Sequence, residues 1–173
     1  MFIAGHTATA LAQNIPAVKA KALDNSEATL PPQGSQRPLI LVVGFSRKGG
    51  QMCTAWGKRI AAEFRSDSRV TYFQVPVLED APSFIRPMIV RGMRRDTTAE
   101  ELPHTIPVYD HEADWKKAVN FSNADDAYIL LADAQGRIAW QTHGVLTDSS
   151  YGELQNAVNK LVQGTLSSPS PKP

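Results

Sequence analysis

LILVVGFSRKGGQMCTAW, Leu39 to Trp56, is the stretch on which the fold turns. Its first seven residues, Leu39 to Phe45, form an unbroken apolar run of strand length, which predicts a strand buried on both faces. Ser46 to Met52 holds polar residues and the pair Gly49-Gly50, and reads as a loop. From Thr54 to Phe64 the apolar positions recur at helical spacing, so a helix is expected there. Cys53, the only cysteine in the chain, falls where this helix begins. A thiol at a helix N-terminus meets unpaired backbone N–H groups that favour its thiolate form.

The flanking segments extend the pattern. Ile15 to Leu30 alternates weakly around the turn formers Asp24-Asn25 and predicts a β-hairpin, ended by Pro31-Pro32-Gln33-Gly34. Val70 to Val77 predicts a second core strand, and Phe84 to about Arg95 a helix capped from Asp80 to Ser83. Thr105 to Tyr109 reads as a short extended piece and Glu112 to Phe121 as a helix. Ala127–Ala132 and Arg137–Thr142 are joined by the tight turn Asp133-Ala134-Gln135-Gly136, and Ser150 to Val162 predicts an amphipathic closing helix. Crossover-linked parallel strands finished by an antiparallel hairpin give an α/β fold, a three-layer sandwich with a mixed central sheet and helices on both faces. The N-terminal hairpin is an extension to it.

Composition narrows the function classes. The 173 residues are 42% hydrophobic, enough for one domain with a sizeable core, expected over residues 15–163. Eighteen basic and 17 acidic side chains leave a net charge of +1, so nothing favours nucleic acid in bulk. Ala10-Leu11-Ala12 resembles the end of an export signal, although Met1 to Thr9 lacks a basic start and a full apolar stretch. Residues 1–14 read either as the remnant of such a leader, which points to a periplasmic protein, or as a disordered tail of a cytoplasmic or mitochondrial one. The serine- and proline-rich tail from Gly164 to Pro173 reads as disordered.

Three stretches resemble the thioredoxin-like superfamily, in particular its TlpA and peroxiredoxin-type branch: the strand with Cys53 behind it, Ile106-Pro107-Val108-Tyr109-Asp110 with the Trp115 helix, and the hairpin from Tyr128 to Ile138. The resemblance implies a C-x-x-C window at Gly50-Gln51-Met52-Cys53, where Gly50 stands in place of the attacking cysteine. Ala127 stands where redox-active members carry a cis-proline. GFSRKGGQMCTAW, Phe84-Ile85-Arg86-Pro87 running on to Arg94-Arg95, and Gly136-Arg137-Ile138-Ala139-Trp140 resemble more narrowly the mitochondrial ATP-synthase assembly factors with a thioredoxin-like domain. That family resemblance implies a non-enzymatic role in building the membrane sector around its subunit a.

Two readings of Cys53 stay open. With Arg47 and Lys48 nearby it could be a low-pKa thiolate in the loop Arg47, Lys48, Gly49, Gly50, Gln51 and Met52, acting as a peroxidase or through a mixed disulfide. It could equally be a small buried hydrophobe in the first helical turn. His6, His104, His111 and His143 show no metal-ligand spacing, and no cofactor motif is present. Asp110, Glu112, Asp114, Asp125 and Asp126 fall at capping and turn positions. The most unusual surface candidate is the segment 84–95. Phe84 and Met88, with Ile85 or Ile89, supply an apolar stripe, and Arg86, Arg91, Arg94 and Arg95 supply charge suited to a protein partner or a membrane surface. The alternative is a helix packed on the sheet with solvated arginines.

Overall fold

Alternation along the central strands decides how the layers assemble. In β3 (Leu39–Gly44), Leu39, Leu41 and Val43 face one side of the sheet and Ile40 and Val42 the other, and all are buried. The computed structural model describes residues 13–167. Its main sheet has the order β4-β3-β5-β6, with β4 (Thr71–Pro76) parallel to β3, β5 (Ala127–Ala132) antiparallel to β3, and β6 (Ile138–His143) antiparallel to β5. The extended piece at 105–108 adds isolated parallel bridges to the outer side of β4, Gln74 to Thr105 and Val77 to Val108.

Two apolar cores follow from that alternation. On one face α1 (Arg47–Phe64) and α4 (Asp148–Ser167) supply Cys53, Trp56, Ile60, Phe64, Tyr151, Leu154 and Val158 against Ile40, Val42, Ile129 and Leu131. On the other, α3 (Glu112–Ala118) and the separate hairpin β1 (Val18–Lys21) and β2 (Glu27–Leu30) supply Trp115, Val18 and Leu30 against Leu41, Val43, Val75 and Leu130. The expected layered sandwich with its N-terminal hairpin is the architecture found.

Several boundaries differ for local physical reasons. Helix α1 begins at Arg47, so the stretch 46–52 read as a loop is mostly helix. Ser46 is an extended N-cap whose hydroxyl accepts from Gly49 N at 2.9 Å, and that cap outweighs the two glycines. Gly49 suits the position because a Cβ there would lie 2.9 Å from the Ala124 carbonyl oxygen and 3.0 Å from that of Asp126. Helix α2 (Arg86–Asp96) starts at Ile85 with no side-chain cap, so the expected cap from 80–83 is not formed. Helix α4 is capped reciprocally by Thr147 and Ser150, and it continues to Ser167. Residues 164–167, expected in a disordered tail, are therefore helical. Ala10-Leu11-Ala12 and residues 168–173 lie outside the described residues.

Candidate functional site

Starting α1 at Arg47 moves Cys53 into the second helical turn, away from the helix end where a thiolate is favoured. Its side chain points into the core: Cys53 is 7% exposed and its Sγ lies 3.5 Å from the Val43 carbonyl oxygen, to which the thiol donates. Gly44 makes room for the sulfur, since a Cβ on Gly44 would stand 2.9 Å from Sγ. Burial pushes the thiol pKa up to about 12, and a hydrogen bond from the backbone of Cys53 itself opposes the shift. A neutral, packed thiol is a poor nucleophile at neutral pH.

The N-terminus of α1 is already engaged by the protein itself. Besides capping Gly49, Ser46 donates its hydroxyl to Asp125 Oδ1 at 3.0 Å, and Lys48 Nζ reaches Asp125 Oδ2 at 3.2 Å. Lys48 first, then Ser46, hold the Asp125 carboxyl below its ordinary range. A carboxylate from the loop before β5 thus engages the first turn of α1. Sequence reading placed Asp125 only in a turn, and no local pattern marks it as the partner of a serine 79 residues away. Arg47, Lys48 and Gln51 are exposed, and Gly50 is open, with nothing within 4 Å of a Cβ built there. Ala127 is fully buried at the start of β5, paired with Gly44.

The histidines have structural neighbours. His104 stacks on Tyr72 at 4.4 Å, and His143 contacts Asp126 at 2.8 Å and stacks on Tyr128. His6 lies outside the described residues.

The segment 84–95 does not behave as a core helix. Helix α2 buries none of its residues, and Phe84 and Met88 are 81% and 72% exposed, more than any other large apolar side chain among the described residues. Its arginines divide into two pairs. Arg86 donates to the carbonyls of Ala81 and Glu79, both at 2.8 Å, and lies over the Tyr109 ring. Arg94 donates to the Leu23 carbonyl and to Asn25 Oδ1, both at 2.6 Å, fastening the helix to the hairpin turn. Arg95 pairs only with exposed Asp96 on its own helix, and Arg91 shows no hydrogen bond or ion pair within the described residues. Arg94→Gln is therefore expected to loosen α2, with amide exchange over residues 86–96 about tenfold faster and β3 and β5 unchanged. Unchanged exchange in α2 would show that the tether is idle.

A search of curated proteins found no match. Among solved structures, the thioredoxin domain of a thiol-disulfide oxidoreductase from Bacteroides vulgatus is 16% identical, with 88% of this chain and 100% of that one covered and a TM-score of 0.59. An uncharacterized conserved protein from Geobacillus kaustophilus is 14% identical, covering 91% and 85% with a TM-score of 0.62. A putative electron transfer protein from Aquifex aeolicus VF5 is 13% identical, covering 90% and 99% with a TM-score of 0.61. At these identities the likeness establishes the thioredoxin-like fold. A family model described as ATP10 protein matches residues 8–161, nearly the whole of the described chain. The chain belongs to the ATP10 family of ATP-synthase assembly factors, in which the thioredoxin-like fold is here built around a single, buried cysteine.

Proposed function

We propose that this chain is a non-enzymatic assembly module, a thioredoxin-like scaffold that helps build the membrane sector of ATP synthase by binding. The observation that carries the reading is the state of Cys53: the chain has no second cysteine to pair with it, its Sγ is packed against Gly44 and Val43, and its thiol pKa is raised to about 12. Family membership supports this choice of client class. Exposed Phe84, Met88, Arg91 and Arg95 offer a contact surface that needs no chemistry.

The test is made in the native host. Cells carrying Cys53→Ala in place of the wild-type chain are expected to assemble ATP synthase to the wild-type level, while cells lacking the chain fall short. Loss of assembled enzyme in Cys53→Ala cells, with the variant present at normal abundance, would overturn the reading.

A further inference from the structure

Helical geometry sorts the residues of segment 84–95 into two opposed faces. At 3.6 residues per turn, Met88, Arg91 and Arg95 of α2 follow one another at i, i+3 and i+7 and fall within about 60° around the axis. The tethering Arg86, with half-buried Val90 and Met93, lies on the other side, and the tethering Arg94 lies at the flank, about 90° from the middle of the stripe. Phe84 belongs to the turn that leads into the helix, where Ile85 N donates to the Pro82 carbonyl at 3.0 Å and Met88 N to the Ile85 carbonyl at 3.0 Å. The outward stripe is thus apolar at its N-terminal end and cationic at its C-terminal end.

The geometry points to an anionic phospholipid surface as the occupant of this stripe. Phe84 and Met88, at 81% and 72% exposure, protrude from the protein, as side chains that enter an interface do. Met88, Arg91, Gly92 and Arg95 line a depression, and a Cβ at Gly92 would meet nothing within 4 Å. Two guanidinium groups flanking such a depression suit a lipid phosphate. The aromatic and thioether ends, one to two turns away, would sit at the boundary of the acyl chains. Helix α2 carries four arginines and one aspartate in a chain whose net charge is only +1, and two of the four, Arg91 and Arg95, lie on the stripe where Met88 protrudes.

Among the described residues no helix is long and apolar enough to cross a membrane, so this contact would be a peripheral one. It would hold the module beside the membrane-embedded client of the assembly reading, on which the inference builds. The assembly reading is carried by Cys53 and is tested there, whereas the lipid contact is tested on the exposed stripe, so either can fail without the other.

Co-sedimentation of the full chain with phosphatidylcholine vesicles, with and without phosphatidylglycerol, tests it. Binding to the anionic vesicles is expected to exceed binding to the neutral ones and to fall as salt rises. Arg91→Gln with Arg95→Gln should weaken partition about twenty-five-fold, at about fivefold per arginine. Phe84→Ser should weaken it about tenfold. Arg69→Gln, on the turn before β4, should leave it unchanged, as should Cys53→Ala, whatever that variant does to enzyme assembly. Cooperative circular dichroism melts with midpoints well above the assay temperature confirm that each variant is folded. Equal binding to both vesicle types, no binding to either, or full binding by the Arg91 and Arg95 double variant would overturn the inference. So would a Phe84-dependent dimer in solution that leaves no vesicle binding.

Discussion

Trp56→Ala is expected to lower unfolding stability by about 3–5 kcal/mol, the usual cost of deleting a buried aromatic side chain. The indole is fully buried in the core shared by α1, the sheet and α4, and its Nε1 donates to the Gly144 carbonyl at 3.0 Å. Its ring lies 6.2 Å from that of Tyr151, whose hydroxyl donates to the Arg59 carbonyl and to Glu63, which joins α4 to α1. Truncation removes the apolar contacts and also leaves the Gly144 carbonyl without its donor. Trp56→Phe keeps most of the ring and loses only the hydrogen bond and some volume, so a loss of about 1–2 kcal/mol is expected. Urea titrations should show lower midpoints with unchanged slopes. A loss under about 1 kcal/mol for Trp56→Ala would mean that the face carrying Cys53 is not a close-packed core.

The second large effect is a coupling between Gly44 and Cys53. Gly44→Ala places a Cβ 2.9 Å from Sγ, which a short side chain held at the Val43 carbonyl relieves poorly. The expected loss is about 1–3 kcal/mol, offset by about 0.5–1 kcal/mol because alanine restricts the unfolded chain more than glycine. Cys53→Ala alone removes the sulfur and should cost about 1 kcal/mol. Together the two changes exchange a methyl group for the sulfur in one notch, so the double variant should be more stable than the sum of the singles predicts by at least about 0.5 kcal/mol. Additive losses would show that Sγ does not fill the space Gly44 leaves.

The sheet was readable because each strand of the core declares its faces: the apolar run Leu39–Gly44 and the run Ala127–Ala132 are both buried along their whole length. Asp133 and Gly136 likewise mark the closing turn, where Gly136 has a φ of +83°. The start of α1 was misplaced because Gly49-Gly50 suggests a loop, whereas the capping Ser46 and the carbonyls of residues 124 and 126 pressed against Gly49 come from local geometry and distant chain. That displacement changed the apparent setting of Cys53 from a helix end to a core. In the segment 84–95 the charge and apolar content were legible. Which arginines are spent as tethers was not, because Arg94 finds its partners about 70 residues away in the hairpin turn. Periodicity reports which face a residue shares, and it does not report what that face meets.

The most direct test of the central claim is the rate of alkylation of Cys53 in the native full chain by iodoacetamide as pH is raised, beside the same chain unfolded in urea. The account predicts that the unfolded thiol titrates near the free value of about 8.5, while the native thiol stays nearly unreactive at neutral pH and gains reactivity only toward its pKa of about 12. Rapid native alkylation at neutral pH, with an apparent pKa below that of the unfolded chain, would contradict it and return Cys53 to chemistry.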